Sequence, residues 1–82
     1  MVADLRFSEE AEKQKAALPQ RVQGEIDERM RRLADDPSLA DPSGIDSFGA
    51  GQYGTFCHVD LYYEFDEDQT ELNVVKIDAD CY

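Results

Sequence analysis

Asp60-Leu61-Tyr62-Tyr63-Glu64-Phe65-Asp66, then Glu67-Asp68-Gln69-Thr70-Glu71, then Leu72-Asn73-Val74-Val75-Lys76-Ile77-Asp78 is the run on which the fold turns. In its first part Leu61, Tyr63 and Phe65 alternate with Asp60, Tyr62, Glu64 and Asp66. That period of two predicts a strand over 60–66 with one face turned inward. From Leu72 to Ile77 the run is rich in β-branched residues, and apolar side chains fall in both alternating sets. A strand covered on both faces reads this way, so the strand over 71–78 is expected near the middle of the sheet. Glu67-Asp68-Gln69 is too polar to bury and has the length of a hairpin loop.

The upstream chain reads as cover for this hairpin. Residues 2–7 predict a short strand, with Leu5 and Phe7 inward and Asp4 and Arg6 outward. Ser8 suits a helix N-cap, and Glu9 and Glu10 place negative charge where the helix dipole is positive. No capping box accompanies it, because Ala11 stands at the third position. A helix over 9–17 has a modest apolar face of Ala11, Ala16 and Leu18. Pro19 either ends that helix or begins the next. Over 19–34 the apolar residues Val22, Ile26, Met30 and Leu33 form one continuous stripe. Gly24 lies off that stripe and reads as a point of close approach. Glu25 with Arg29, and Glu28 with Arg32, are i,i+4 pairs on the exposed side. Asp35-Asp36-Pro37 stops the helix.

Residues 38–51, with Pro42, Gly44, Gly49 and Gly51, read as a long loop pinned by Leu39, Ile45 and Phe48. Residues 52–57 resume strand character, with Tyr53, Thr55 and Cys57 on one side and Gly54 and Phe56 on the other. Gly54 marks a bulge or a close approach onto the sheet. A break near His58 separates this strand from the next. The expected order is β-α-α-β-β-β, one α+β domain over 1–82. Its small, antiparallel-dominated sheet carries a helical hairpin on one face.

The chain of 82 residues has a net charge of −11, unevenly spread. Residues 1–36 hold seven basic against nine acidic side chains, whereas residues 37–82 hold Lys76 against ten acidic ones. The sheet half therefore carries most of the negative field, which repels phosphate backbones and favours cationic partners. The same acidity also reads as a solubility device or as adaptation to a salty cytoplasm. No apolar run approaches the ~20 residues of a membrane span. The opening residues do not resemble a secretory signal either, so a cytoplasmic location is expected. Cys57 and Cys81 are too few to define a disulfide framework and read as two buried or half-buried thiols. Cys57, His58, Asp60, Asp78, Asp80 and Cys81 lack the spacing of any zinc motif, so neither a metal nor another cofactor is expected.

Several of these features together resemble one family. A strand ending in Phe7-Ser8-Glu9-Glu10-Ala11 leads into two helices split at Leu18-Pro19. The second helix closes with Leu33-Ala34-Asp35-Asp36-Pro37, three strands follow that include Tyr63-Glu64-Phe65-Asp66, and Tyr82 closes the chain. In order and spacing, along nearly its whole length, the chain resembles the RelE/ParE superfamily of bacterial toxins. The resemblance implies a metal-independent ribonuclease that cuts mRNA on the ribosome, or a relative that poisons DNA gyrase. It also implies a cognate antitoxin whose tail wraps the toxin.

The basic residues of such toxins are largely missing at the matching positions. Val59-Asp60 stands where an aromatic-Arg pair is usual, Tyr53 and Thr55 where basic residues are frequent, and Ile77-Asp78 in place of a His-Arg pair. Only Tyr82 matches. A neutral tyrosine, with a pKa of roughly 10 in isolation, cannot act alone as a base near pH 7. Without cations to offset charge gathering on phosphate, little rate enhancement is available.

Two functional readings follow. In the first, the chain is a toxin of a toxin–antitoxin pair whose ribonuclease activity is doubtful or lost. Its candidate catalytic residues are Tyr82, Arg29 and Arg32, with Arg21, Arg31, Lys13, Lys15 and Lys76 as further cations; an ordinary solvated helix face also explains the arginines. In the second, the scaffold is a non-catalytic module that grips a basic protein, with Tyr53, Tyr62, Asp60 and Glu64 as binding residues. Tyr63 and Tyr82 add contact area in that reading, whereas the plainer reading places Tyr63 in the core with Leu61 and Phe65. His58 beside Asp60 has the makings of a general base, although a lone histidine is more often a plain polar residue. Nucleic acid is not expected on the sheet face, and no membrane contact is expected.

Overall fold

Ser8 sets the first corner of the molecule. Its backbone is extended and its Oγ accepts from Ala11 N at 3.0 Å, which starts the first helix where a strand has just ended. A computed structural model describes residues 2–82. In chain order these form β1 (Asp4–Phe7), α1 (Glu9–Ala16) and α2 (Gln20–Asp35), then a 3₁₀ turn (Pro37–Leu39), β2 (Ile45–Gln52), β3 (Thr55–Phe65) and β4 (Glu71–Cys81). The four strands make one mixed sheet in the order β1-β4-β3-β2. β1 runs parallel to β4, and the other neighbours are antiparallel. The α+β class, the strand count and the helical hairpin on one face are as the sequence leads one to expect.

The core lies between the two helices and that face. The stripe of Val22, Ile26, Met30 and Leu33 is buried against Val59, Leu61, Tyr63, Leu72, Val74 and Ile77. In α1 only Ala11 is buried. Ala16, expected on the apolar face, is exposed. Its place is taken by the stem of Lys15, whose Nζ lies 4.4 Å from the Phe7 ring centre and 2.8 Å from Asp27 Oδ1. A long cationic side chain can cover apolar surface while its head stays polar. Gly24 has nothing within reach of an added Cβ, so no close approach explains it.

β4 does occupy the centre of the sheet, but it is not covered on both faces. A bulge lies where Tyr62 pairs with Lys76 and Tyr63 pairs with Val74. Val75 is the extra residue and is exposed. One added residue shifts the alternation, so Leu72 and Val74 in one phase and Ile77 and Ala79 in the other all turn toward the helices. This is why apolar residues occur in both alternating sets. Beyond the bulge β1 has ended, and α1 meets the open edge of β4. Ser8 Oγ donates to the Val75 carbonyl at 2.9 Å, and Ile77 N donates to Gln14 Oε1 at 2.7 Å.

The other corrections concern the middle of the chain. Residues 45–52 form a strand rather than the second half of a loop. Residues 52–57 and 60–66 do not make two strands, because β3 runs unbroken through His58. Tyr53 and Gly54 are the two central residues of the β2–β3 turn, with φ of 51° and 81°. Positive φ at both is the signature of a type I′ hairpin, in which glycine is favoured and tyrosine is unusual. Gly54 therefore marks a turn, not a bulge. Leu39 is exposed and does not pin the preceding connection; Phe48, inside β2, is buried.

Candidate functional site: the uncovered face of the sheet

Strand alternation divides the polar residues cleanly. On β3, Cys57, Val59, Leu61 and Tyr63 face the helices, whereas Phe56, His58, Asp60, Tyr62 and Glu64 face away from them. The register with β4 sets Tyr82 beside Phe56, Asp80 beside His58, Asp78 beside Asp60 and Lys76 beside Tyr62. Three of the four expected binding residues, Tyr62, Asp60 and Glu64, thus share one face. Tyr53 sits at the hairpin tip and is 96% exposed.

Two carboxylates directly opposite one another, Asp60 and Asp78, repel across the strands. Ser47 on β2 relieves this partly, donating to Asp60 Oδ1 at 2.5 Å. The cations on this side are engaged. Lys76 Nζ lies 5.5 Å from the centre of the Tyr62 ring, and Arg6 Nε is 2.6 Å from Glu71 Oε1. Among the described residues no three His, Cys, Asp or Glu side chains converge to hold a metal ion.

The expected catalytic trio is not brought together. Tyr82 packs on Phe56 on the uncovered face, ring centres 6.1 Å apart. Arg29 reaches from α2 to Asp46, which pairs with Leu61 and so lies on the helix side of the sheet. Its hydrogen bonds to Asp46, chiefly, hold the Arg29 guanidinium even more firmly protonated than usual. Arg32 is bound to Glu28, 3.2 Å away on its own helix. Arg29, Arg32, Leu33, Leu39, Asp41, Ile45, Asp46 and Tyr63 line a cleft of about 290 Å³ on the helix side.

Sequence reasoning missed the bond between Cys57 and Cys81. They face each other across β3 and β4 with Cα atoms 4.0 Å apart and are joined as a disulfide, not held as two thiols. The signal was their register, which cannot be counted without the bulge. Disulfides persist in oxidising compartments and are rare in the cytosol, so this bond and the cytoplasmic expectation pull apart. No helix is long and apolar enough to cross a membrane.

A parallel β1–β4 pair closing a three-stranded antiparallel meander, with a helical hairpin on one face, defines a small α+β class. Within it the chain has the RelE toxin fold. The RelBE toxin–antitoxin complex from Mycobacterium tuberculosis matches at TM-score 0.64 and 22% identity, covering 95% of this chain and 92% of that one. An archaeal RelE–RelB complex from Pyrococcus horikoshii OT3 matches at TM-score 0.65 and 12% identity, covering 94% and 93%. A mutant E. coli RelE toxin in the free state matches at TM-score 0.64 and 15% identity, covering 94% and 82%. No family model matches the chain, and no curated protein matches it.

Proposed function

We propose that this chain is a RelE/ParE-type protein of a toxin–antitoxin system that has lost ribonuclease activity. The M. tuberculosis neighbour is a toxin–antitoxin complex, which supports an antitoxin-like partner here. The observation that carries the loss of activity is the pair of rungs next to Tyr82 on its face of the sheet, His58 with Asp80 and Asp60 with Asp78, which set three carboxylates against one imidazole. Phosphoryl transfer is accelerated chiefly by cations aimed at the charge developing on phosphate. Here carboxylates outnumber the one imidazole on the rungs beside the tyrosine, and Arg29 and Arg32 are engaged on the helix side.

The test is expression of the chain alone in a bacterial host, together with a translating extract probed for cut mRNA. Normal growth and intact message are expected. Reproducible cleavage that disappears in Tyr82→Phe overturns the proposal.

The same face supports a second reading, a non-catalytic module whose acidic surface grips a basic protein. What favours it is the exposure of aromatic side chains beside the carboxylates, since tyrosine and other aromatics supply contact area at interfaces.

A further inference from the structure

Three large aromatic side chains stand in solvent at the β2–β3 turn end of the sheet. Tyr53 is nearly free, Tyr82 is 79% exposed and Phe56 is 44% exposed. Phe56 and Tyr82 form a fixed platform. Each donates its backbone N–H to the other's carbonyl at 2.8 Å, and the next rung is the Cys57–Cys81 disulfide. On the β2 side the neighbours are Gly51 and Gly49, and a Cβ on Gly49 would lie 2.6 Å from Phe56 Cζ. The ring therefore lies over bare backbone, and nothing from β2 shields the platform. Aromatic side chains carried on a backbone pinned in this way offer apolar contact area to a partner, a feature of binding surfaces.

The surroundings of the platform select its occupant. Same-face residues recur about every 6.8 Å along a strand. Asp80 therefore stands about one such step from the aromatic pair, and Asp60 with Asp78 about two. On a helix, residues four apart are separated by about 6 Å and residues eight apart by about 12 Å. One apolar side chain on Phe56 and Tyr82 would thus bring basic side chains at i+4 and i+8 onto the carboxylates. The helices of this chain cover only the opposite face, so a partner helix would complete a third layer.

We infer that the uncovered face is a docking surface for a basic amphipathic helix of a partner protein. Its apolar anchor sits on Phe56 and Tyr82, and its Lys or Arg residues pair with Asp80, Asp78 and Asp60. A second copy of this chain is disfavoured by the net charge of −11, and RNA by phosphate repulsion. The inference rests on the second reading above and names its surface and partner chemistry.

The experiment uses the full chain, isotope-labelled, and two synthetic helix-forming Ala/Lys/Leu peptides of identical composition. One aligns Leu at i with Lys at i+4 and i+8; the other scatters them around the helix. Amide shifts confined to the uncovered face, at Phe56, His58, Asp60, Asp78, Asp80 and Tyr82, are expected, with the aligned peptide binding about tenfold or more tighter than the scattered one. Asp78→Asn combined with Asp80→Asn removes like-charge repulsion and should fold well, yet lose about tenfold in affinity for the aligned peptide. Equal binding of both peptides overturns the inference, as do shifts on the helix side or affinity unchanged in the double variant. Self-association through this face, or preferential binding of a single-stranded RNA oligonucleotide, overturns it equally. Failure of the peptide to bind a chain that leaves mRNA intact sinks this surface alone. Cleavage of mRNA by the same chain sinks the functional proposal instead.

Discussion

Arg29 donates from Nε to Asp46 Oδ2 at 2.9 Å and from Nη2 to Asp46 Oδ1 at 3.0 Å, tying the middle of α2 to the start of β2. The guanidinium also lies 4.8 Å from the centre of the Phe48 ring. Bidentate geometry strengthens this ion pair, and its two side chains are only 32% and 29% exposed. Arg29→Ala should cost about 1–2 kcal/mol after allowance for solvent screening. A double-mutant cycle with Asp46→Ala, read by chemical denaturation, should return a clear coupling energy. Zero coupling would falsify the structural role given to Arg29.

The Cys57–Cys81 bond closes a loop of 24 residues in sequence separation. On loop entropy alone it contributes on the order of 3 kcal/mol, by restricting the unfolded chain. Reduction by dithiothreitol, or Cys57→Ser with Cys81→Ser, should lower the denaturation midpoint by a corresponding amount. Equal midpoints with and without reductant would remove the disulfide from the account of stability.

Asp66 organises the β3–β4 turn. Its carboxylate accepts from Thr70 Oγ1 and Thr70 N at 2.6 Å each and from Glu71 N at 2.8 Å. The Thr70 hydroxyl first, and the Glu71 amide next, hold its pKa below the usual 3.8. A carboxyl depressed in the folded state stabilises the fold above its unfolded pKa, and that contribution fades as pH falls through the folded value. Asp66→Asn should therefore flatten the stability profile below about pH 4 and leave its shape near neutrality unchanged. Denaturation series in acid and at pH 7 read this directly; parallel profiles for the two proteins would contradict it.

Gly49 leaves room for the Phe56 ring, and the atom nearest an added Cβ is the ring's exposed far end. Gly49→Ala should thus swing the ring away rather than unfold the sheet, costing about 1 kcal/mol or less. The through-space NMR contacts between Phe56 and Tyr82 should vanish. Retention of those contacts would show that the ring does not depend on the glycine.

How far the chain could be read depended on whether the information was local. The alternation of Leu61, Tyr63 and Phe65, the stripe from Val22 to Leu33 and the cap at Ser8 each involve neighbours a few residues apart. They suffice for the elements and their class. β2 was hidden because Gly49 and Gly51 have the composition of a loop. Their purpose depends on Phe56, which crosses over from another strand. Tyr53 gave no turn signal, because its positive φ is imposed by the strands that the turn connects.

Residues at helical or strand spacing determine which face each will bury, and so the sequence by itself settled the α+β architecture and the acidity of the sheet half. Only tertiary structure decided that Arg29 meets Asp46, that Cys57 meets Cys81 and that Tyr82 lies on the face of the sheet away from the Arg29–Asp46 pair. The cysteine pairing and the facing of Tyr82 hang on a single inserted residue, Val75, which reverses the facing of everything after it in β4. A phase change of that kind is set by packing between distant strands, and hydropathy along one strand carries no mark that separates it from burial on both sides.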